Sequence, residues 1–251
     1  MTKGFYNLTS GILSQTRRLD VIANNMTNLS TAGYKAETYT DSTFQEVLMS
    51  RVGNKDKSGA SVIGEESYIL APDQLYVDYT QGSVKETGLT LDFAIQGDGF
   101  FAIQTDNGVE YTRNGSFSLN DNGQLCLSGH GLVLGMDGNP ITLSTDQIRA
   151  DGNGRLYTED GTYLGQVGVF TFPDNAQLAK AESGLFTPGG QQAQAAPNSQ
   201  ILWKYQEESN VDMLREMTQM MTAERNLQSG AQVLKLYDSL LTKATTEVGR
   251  L

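Results

Sequence analysis

"IANNMTNLSTAGYKAET", residues 22–38, decides how this 251-residue chain divides. It closes an apolar stripe. Phe5, Leu8, Ile12, Gln15, Leu19, Ile22, Met26 and Leu29 follow one another in alternating steps of three and four, and all but Gln15 are apolar. That spacing predicts an amphipathic helix over residues 5–29 with a narrow, coiled-coil-like seam. At 1.5 Å per residue it is roughly 40 Å long. The stripe then runs into Asn24, Asn25 and Asn28, followed by Gly33, residue types that disfavour a helix. Asparagine amides pair with the backbone groups a helix end leaves open, and glycine takes the left-handed conformation of a helix stop. The stretch is either an ordinary helix end or a joint that holds one defined angle.

A second helical pattern occupies the other end. "ESNVDMLREM" offers Ser209 or Asn210 as N-cap with Asp212 completing a box-like start. A stripe follows through Met213, Met217, Met220, Leu227, Ala231, Leu234 and Leu241, interrupted by Glu224 and Asp238. This helix is expected to exceed about 30 residues, or about 50 Å. Four methionines stand close together at 213, 217, 220 and 221. They read either as core filler or as a contact face that adapts to more than one neighbour.

Between the helices the pattern is β. "LDFAIQGDGFFAIQ", residues 91–104, holds two short apolar runs around Gly97-Asp98-Gly99, the second opening with Phe100 and Phe101. Asn107-Gly108, Asn114-Gly115, Asn122-Gly123, Asp137-Gly138 and Asp160-Gly161 separate further β-prone runs, as hairpin turns do. The expected fold class is α+β. The N- and C-terminal helices pair as a coiled-coil-like module around a central, glycine-rich antiparallel β domain. The boundaries read as 1–35 for the first helix and joint, and 36–75 for an extended linker or excursion. The β domain then covers 76–203 and the last helix 204–251.

Charge follows the same division. The chain carries a net charge of -11, yet residues 1–40 carry +2 and residues 205–251 carry -2, so the acidity lies in the middle segment with all five prolines. Such a balance disfavours nucleic acid and anionic membrane surfaces as partners. No run reaches the ~20 apolar residues a membrane span requires, and the first residues lack the apolar core of a cleaved secretory signal. One cysteine, Cys126, excludes an internal disulfide framework. One histidine, His130, builds neither a zinc set nor a catalytic triad. "GDGFF" lacks the Lys-Ser/Thr of a phosphate loop, and no stretch carries the spaced ligands of a calcium loop. No catalytic, cofactor-binding or metal-ligating residues are expected, and an enzyme is not.

The motifs resemble a known family. "RLDVIANNMTNLSTAGYKAE" is similar to the N-terminal signature of bacterial flagellar rod and hook proteins, through Asn24, Asn25, Asn28, Thr31, Gly33, Tyr34 and Lys35. "QGSVKETGLTLDFAIQGDGFFAI" resembles the central signature of that family through Gly97, Asp98, Gly99, Phe100 and Phe101. The segment from Asn210-Val211-Asp212 through Met217-Thr218 to Arg225 resembles its C-terminal helix. Two small departures are Ala32, where proline or threonine is common, and Leu227, where an aromatic is frequent.

The resemblance implies a structural subunit of the flagellar basal body rod, either the proximal or the distal one, with length tipping the choice toward the proximal. It implies export through the flagellar type III apparatus without a cleaved signal, no direct membrane insertion, and partners that are copies of itself and other rod or hook subunits. The expected assembly interface is Leu8, Ile12, Leu19, Ile22, Met26 and Leu29 with Met213, Met217, Met220, Leu227, Leu234 and Leu241. Residues 22–38 then read as the joint between an inner-tube helix and an outer domain. The alternatives are a soluble binding module whose helices form a dimerisation stalk, and a hydrolase built on the acidic loops.

Overall fold

The computed structural model describes residues 2–51, 61–143, 145–181, 183–196 and 199–248. The chain forms two units, one built from Met1–Met26, Glu37–Tyr76 and Met213–Leu251, the other from Thr27–Ala36 and Val77–Asp212. It therefore passes between them four times. Both units mix helix or turn with paired strands, those of the second unit antiparallel, and the fold class is α+β.

The first unit holds both long helices, α1 (Thr2–Thr27) and α2 (Met213–Val248), and a strand pair, β1 (Glu37–Arg51) with β2 (Ser61–Val77). The segment whose weak patterning suggests a linker or excursion thus carries 15- and 17-residue paired strands. Their polar, mixed composition hides them from a periodicity argument. Most of the α1 stripe lies as its spacing predicts: Leu8, Ile12, Gln15, Leu19 and Met26 are half-buried and Ile22 is buried, whereas Phe5 at its start is 41% exposed. A second face of α1 meets the start of β1. Ser14 donates to Asp41 Oδ1 at 2.6 Å, and Arg18 pairs with Asp41 Oδ2 at 3.3 Å.

On α2 the covered line is displaced from the predicted one. Glu216, Met220, Ala223, Leu227, Gly230, Leu234, Tyr237 and Leu241 are buried or half-buried in an unbroken four-three alternation. Met220, Leu227, Leu234 and Leu241 belong to both lines. Met213, the first residue of α2, continues that spacing but is 53% exposed, and Met217 lies off the line, 42% exposed. Choosing apolar residues alone misplaces Met217, because the covered line includes a glutamate, an alanine and a glycine. At Gly230 an added Cβ would stand 3.2 Å from Ile12 Cγ1, so α2 approaches the α1 seam there.

The second unit is the β domain. Its largest sheet runs, in spatial order, Ala179–Lys180, Phe186–Thr187, Gly108–Thr112, Phe100–Thr105, Gly131–Val133, Leu125–Leu127 and Ser118–Leu119. Val169–Thr171 also pairs with Phe100–Thr105 and with Gln194–Ala195. A three-stranded sheet joins Ile148–Ala150, Arg155–Thr158 and Tyr163–Gln166. Four of the five predicted turn dipeptides put their glycine at positive φ; Gly115 does not. It lies instead against the backbone carbonyl of Phe93, where a Cβ would collide.

Two apolar cores fill this unit. One contains Phe93, Phe101, Leu125, Leu156 and Ile201, the other Phe100, Tyr111, Phe172 and Phe186. Adjacent residues of a strand point to opposite faces, and Phe100 and Phe101 accordingly anchor one core each. The last strands close the unit across long sequence separations: Gln200–Trp203 pairs with Phe93–Gln96, and Tyr205–Glu207 with Val84–Glu86. Lys204 between them is the one described non-glycine residue at positive φ, 65°. That kink moves the chain from one partner strand to the next.

Candidate functional site: a buried ionic joint

Glu207 closes its strand with its side chain fully buried, 0% exposed. An unpaired carboxylate there would be prohibitive. Two cations approach it: Lys35 Nζ lies 2.7 Å from Oε1 and Arg113 Nη1 3.3 Å from Oε2. Both are as buried, at 1% and 3%. The backbone N–H of Gly82 also donates to Oε1, at 3.0 Å. Lys35 donates further to the Thr80 carbonyl at 2.7 Å, and Arg113 Nη2 to the Gly97 carbonyl at 2.7 Å.

Burial lowers the pKa of Lys35, against the raising influence of Glu207, and lowers that of Arg113, against Glu207 and Asp98. Two cations share one buried carboxylate, so the cluster carries a surplus positive charge that Asp78 and Asp98 offset from a distance.

The cluster explains why particular glycines stand where they do. Gly33 has φ +63°, and its N–H donates to the Glu207 carbonyl at 2.8 Å. A Cβ at Gly33 would strike the backbone of Arg113 and Asn114. Gly33 is therefore a close-approach residue six positions past the end of α1, rather than the stop of that helix. Gly99, at φ +131°, turns the chain into its strand, and a Cβ there would reach Val169 Cγ1 at 2.6 Å. Gln81 secures the same turn, accepting from Gly97 N–H at 3.1 Å and donating to the Ile95 carbonyl at 2.7 Å.

Two asparagines hold neighbouring residues of the joint, each inside its own unit. In the β unit, Asn210 Oδ1 accepts from Ala36 N–H at 2.7 Å, while its Nδ2 donates to the carbonyls of Asp78 and Thr80 at 2.8 and 3.1 Å. Asn210 is thus a clasp for three chain segments and not the cap of α2; Asp212 immediately precedes that helix. In the helical unit, Asn25 bonds the Glu37 backbone and Asn24 Nδ2 reaches the Glu37 carboxylate at 3.4 Å. Asn28 Oδ1 accepts from the Thr31 hydroxyl at 3.0 Å, and Tyr34 lies under Lys180 Nζ, 4.1 Å from the ring centroid. Leu29 beside them is half-buried.

Lys35, Gly33 and Gly97 come together around Glu207, and Asp98 adds its charge. Phe100 and Phe101 face away into the cores. The central members, Glu207 and Arg113, are not evident from sequence: a buried lysine demands a carboxylate, but the chain has 29 acidic residues. The arrangement is chemically a clamp, since both oxygens of its carboxylate are taken by protein donors. Among the described residues no group of three or more His, Cys, Asp and Glu is placed to hold a metal ion, and no helix is long and apolar enough to cross a membrane.

The segments meeting at the clamp are also the ones that known proteins share. Three family descriptions match: Flagella basal body rod protein over residues 5–35, Flagellar hook protein FlgE/F/G D1 domain over 94–150, and Flagellar basal body rod FlgEFG protein C-terminal over 204–247. The flagellar hook-basal body complex protein FlhO of Bacillus subtilis (strain 168) is 31% identical over 272 residues, covering all of both chains. The chain belongs to the flagellar basal-body rod protein family. The flagellar basal-body rod protein FlgG of the same organism is 30% identical, covering 96% of this chain and 97% of its own. FlgF of Mesorhizobium japonicum is 32% identical, covering 99% of each. This member of the rod family is a structural subunit of the flagellar basal body and not an enzyme.

Proposed function

We propose that this rod-family subunit polymerises through its terminal helices into the hollow axial shaft of the basal body. The observation that carries the reading is the two-sided apolar character of α2. One line, Met220, Leu227, Leu234 and Leu241, is covered within the chain and pairs with the α1 seam in coiled-coil fashion, as the approach of Gly230 to Ile12 supports. A second face carries Leu214, Met217 and Met221, and Leu236 and Leu240 lie on the other flank further along, all exposed. A helix apolar on two sides needs more than one neighbour.

Copies of this chain and other rod or hook subunits supply that neighbour, and unbranched methionines suit a face whose partners differ. The acidic β domain makes the lateral contacts. Delivery is through the flagellar type III export apparatus.

Met221 gives the clean test, because it is 52% exposed whereas Met220 is partly covered by the chain itself. Met221→Asp leaves the thermal unfolding of the isolated subunit within a few degrees of wild type, and basal bodies from the variant strain lack rods in electron micrographs. Normal rods from that strain would refute the proposal.

A further inference from the structure

Lys35 and Glu207 touch across 172 positions of sequence, and the bonds around them form a closed set. Gly33 N–H bonds the Glu207 carbonyl, Gly82 N–H bonds its carboxylate, Ala36 N–H bonds Asn210, and Asn210 in turn bonds the carbonyls of Asp78 and Thr80. Nothing from residues 33–36 is held in the β unit by regular sheet pairing: no described strand includes them. Their backbone is secured chiefly by segment 204–210, through the Glu207 carbonyl, the Asn210 side chain and the Asn210 N–H that bonds the Tyr34 carbonyl at 3.4 Å; one further bond, from Asp78 N–H to the Ala36 carbonyl at 2.8 Å, comes from outside that segment.

We infer that Glu207 is a latch: residues 33–36 seat in the β unit only when the segment 204–210 arrives, and the two are locked in one cooperative step. Segments 33–36 and 204–210 are then held through one carboxylate, so neither is set in the β unit without the other. A β domain that folds ahead of its ends leaves the joint open; arrival of β-strand Tyr205–Glu207 closes it. The latch does not depend on how subunits assemble, because it operates inside a single chain.

The stoichiometry of charge makes the idea testable by asymmetry. Removing Glu207 leaves Lys35 and Arg113 buried with no direct counter-ion, only Asp78 and Asp98 at a distance, whereas removing Lys35 leaves a one-to-one pair of Arg113 and Glu207. A merely space-filling cluster would show no such order. Loss of one partner from a buried ion pair is severe when it strands a charge and mild when it does not.

Hydrogen exchange on the full chain, followed amide by amide, reads this directly. Glu207→Gln is expected to accelerate exchange at Gly33, Ala36 and Gly82 roughly a hundredfold or more, with Leu125 and Leu134, bonded to the Ile141 and Ala102 carbonyls, unchanged. Lys35→Met accelerates the same three amides by less than about tenfold, and the double variant recovers at least about tenfold relative to Glu207→Gln. The inference is overturned if Glu207→Gln leaves the three amides protected, if it frees Leu125 and Leu134 equally, or if adding Lys35→Met restores nothing. Should Glu207→Gln yield no folded chain, Asn210→Ala serves instead. It spares the bond made by Gly33, so accelerated exchange at Gly33 supports cooperative seating, and unchanged exchange there overturns it.

Discussion

Asn25 grips the backbone of Glu37 in both directions: its Nδ2 donates to the Glu37 carbonyl at 2.8 Å and its Oδ1 accepts from the Glu37 N–H at 3.0 Å. With Asn25 only 1% exposed, this is an amide side chain imitating a strand neighbour at the point where β1 begins. Asn25→Ala leaves a buried donor and acceptor without their partner, at a cost of about 3 kcal/mol. Urea unfolding should show the midpoint falling accordingly, with exchange at the Glu37 amide accelerated first. An unchanged midpoint would mean that water replaces the side chain freely.

Gly33→Ala meets two obstacles. Its left-handed backbone disfavours a side chain by about 1–2 kcal/mol, and the new methyl runs into the backbone of Arg113 and Asn114, adding about 1–3 kcal/mol of overpacking. The backbone there has no rotamer through which to yield. A loss of about 3 kcal/mol in denaturant titration is expected, and a loss below about 1 kcal/mol would show that the close approach is not rigid.

Gly11→Ala goes the other way. Gly11 is inside α1, at ordinary helical φ, with nothing within 4 Å of the position its Cβ would take. Alanine there stabilises the isolated subunit by about 0.5–1 kcal/mol and raises its helical circular dichroism. Gly230→Ala gains less, because its methyl presses on Ile12. Equal gains at both positions would contradict the packing of α2 on the α1 seam.

Tyr111→Phe changes the alkaline limb of stability. Burial raises the phenol of Tyr111 above its usual value of 10.0, while its ring packs edge-on against Phe172 at 4.8 Å. Above pH about 10 the unfolded chain loses this proton and the folded chain keeps it, so the folded state binds more protons and stability falls as pH rises. The slope from one such group is at most about 1.4 kcal/mol per pH unit. Phenylalanine keeps the ring and removes that share. The remaining alkaline loss includes Tyr39, whose phenol is raised in the same direction by burial. An identical pH profile for wild type and variant between pH 9.5 and about 11 would exclude Tyr111 as a contributor.

Local pattern carried most of the element assignment. The α1 stripe, the long final helix and four of the five hairpin glycines are where periodicity and turn chemistry put them, because each rests on residues within a few positions of one another. The covered line of α2 was half legible. Its Met220, Leu227, Leu234 and Leu241 are apolar at a seven-residue period, but Glu216, Ala223 and Gly230 between them carry no hydrophobic signal. Strands β1 and β2 escaped because their mixed polar sequence has no alternation to read.

The amino-acid sequence by itself determined the family, the two long helices and the need for something unusual at residues 22–38. It also placed a lysine one residue beyond an aromatic in that stretch, without saying where its charge would go. Only the tertiary structure decided that Lys35 is buried, that it meets Glu207 alongside Arg113, and that Asn210 clasps Ala36 instead of capping a helix. The physical reason is range. Helix periodicity and turns are set by neighbours in sequence, whereas a buried carboxylate finds its cations through strand pairing across more than a hundred residues, and a list of acidic side chains does not rank them.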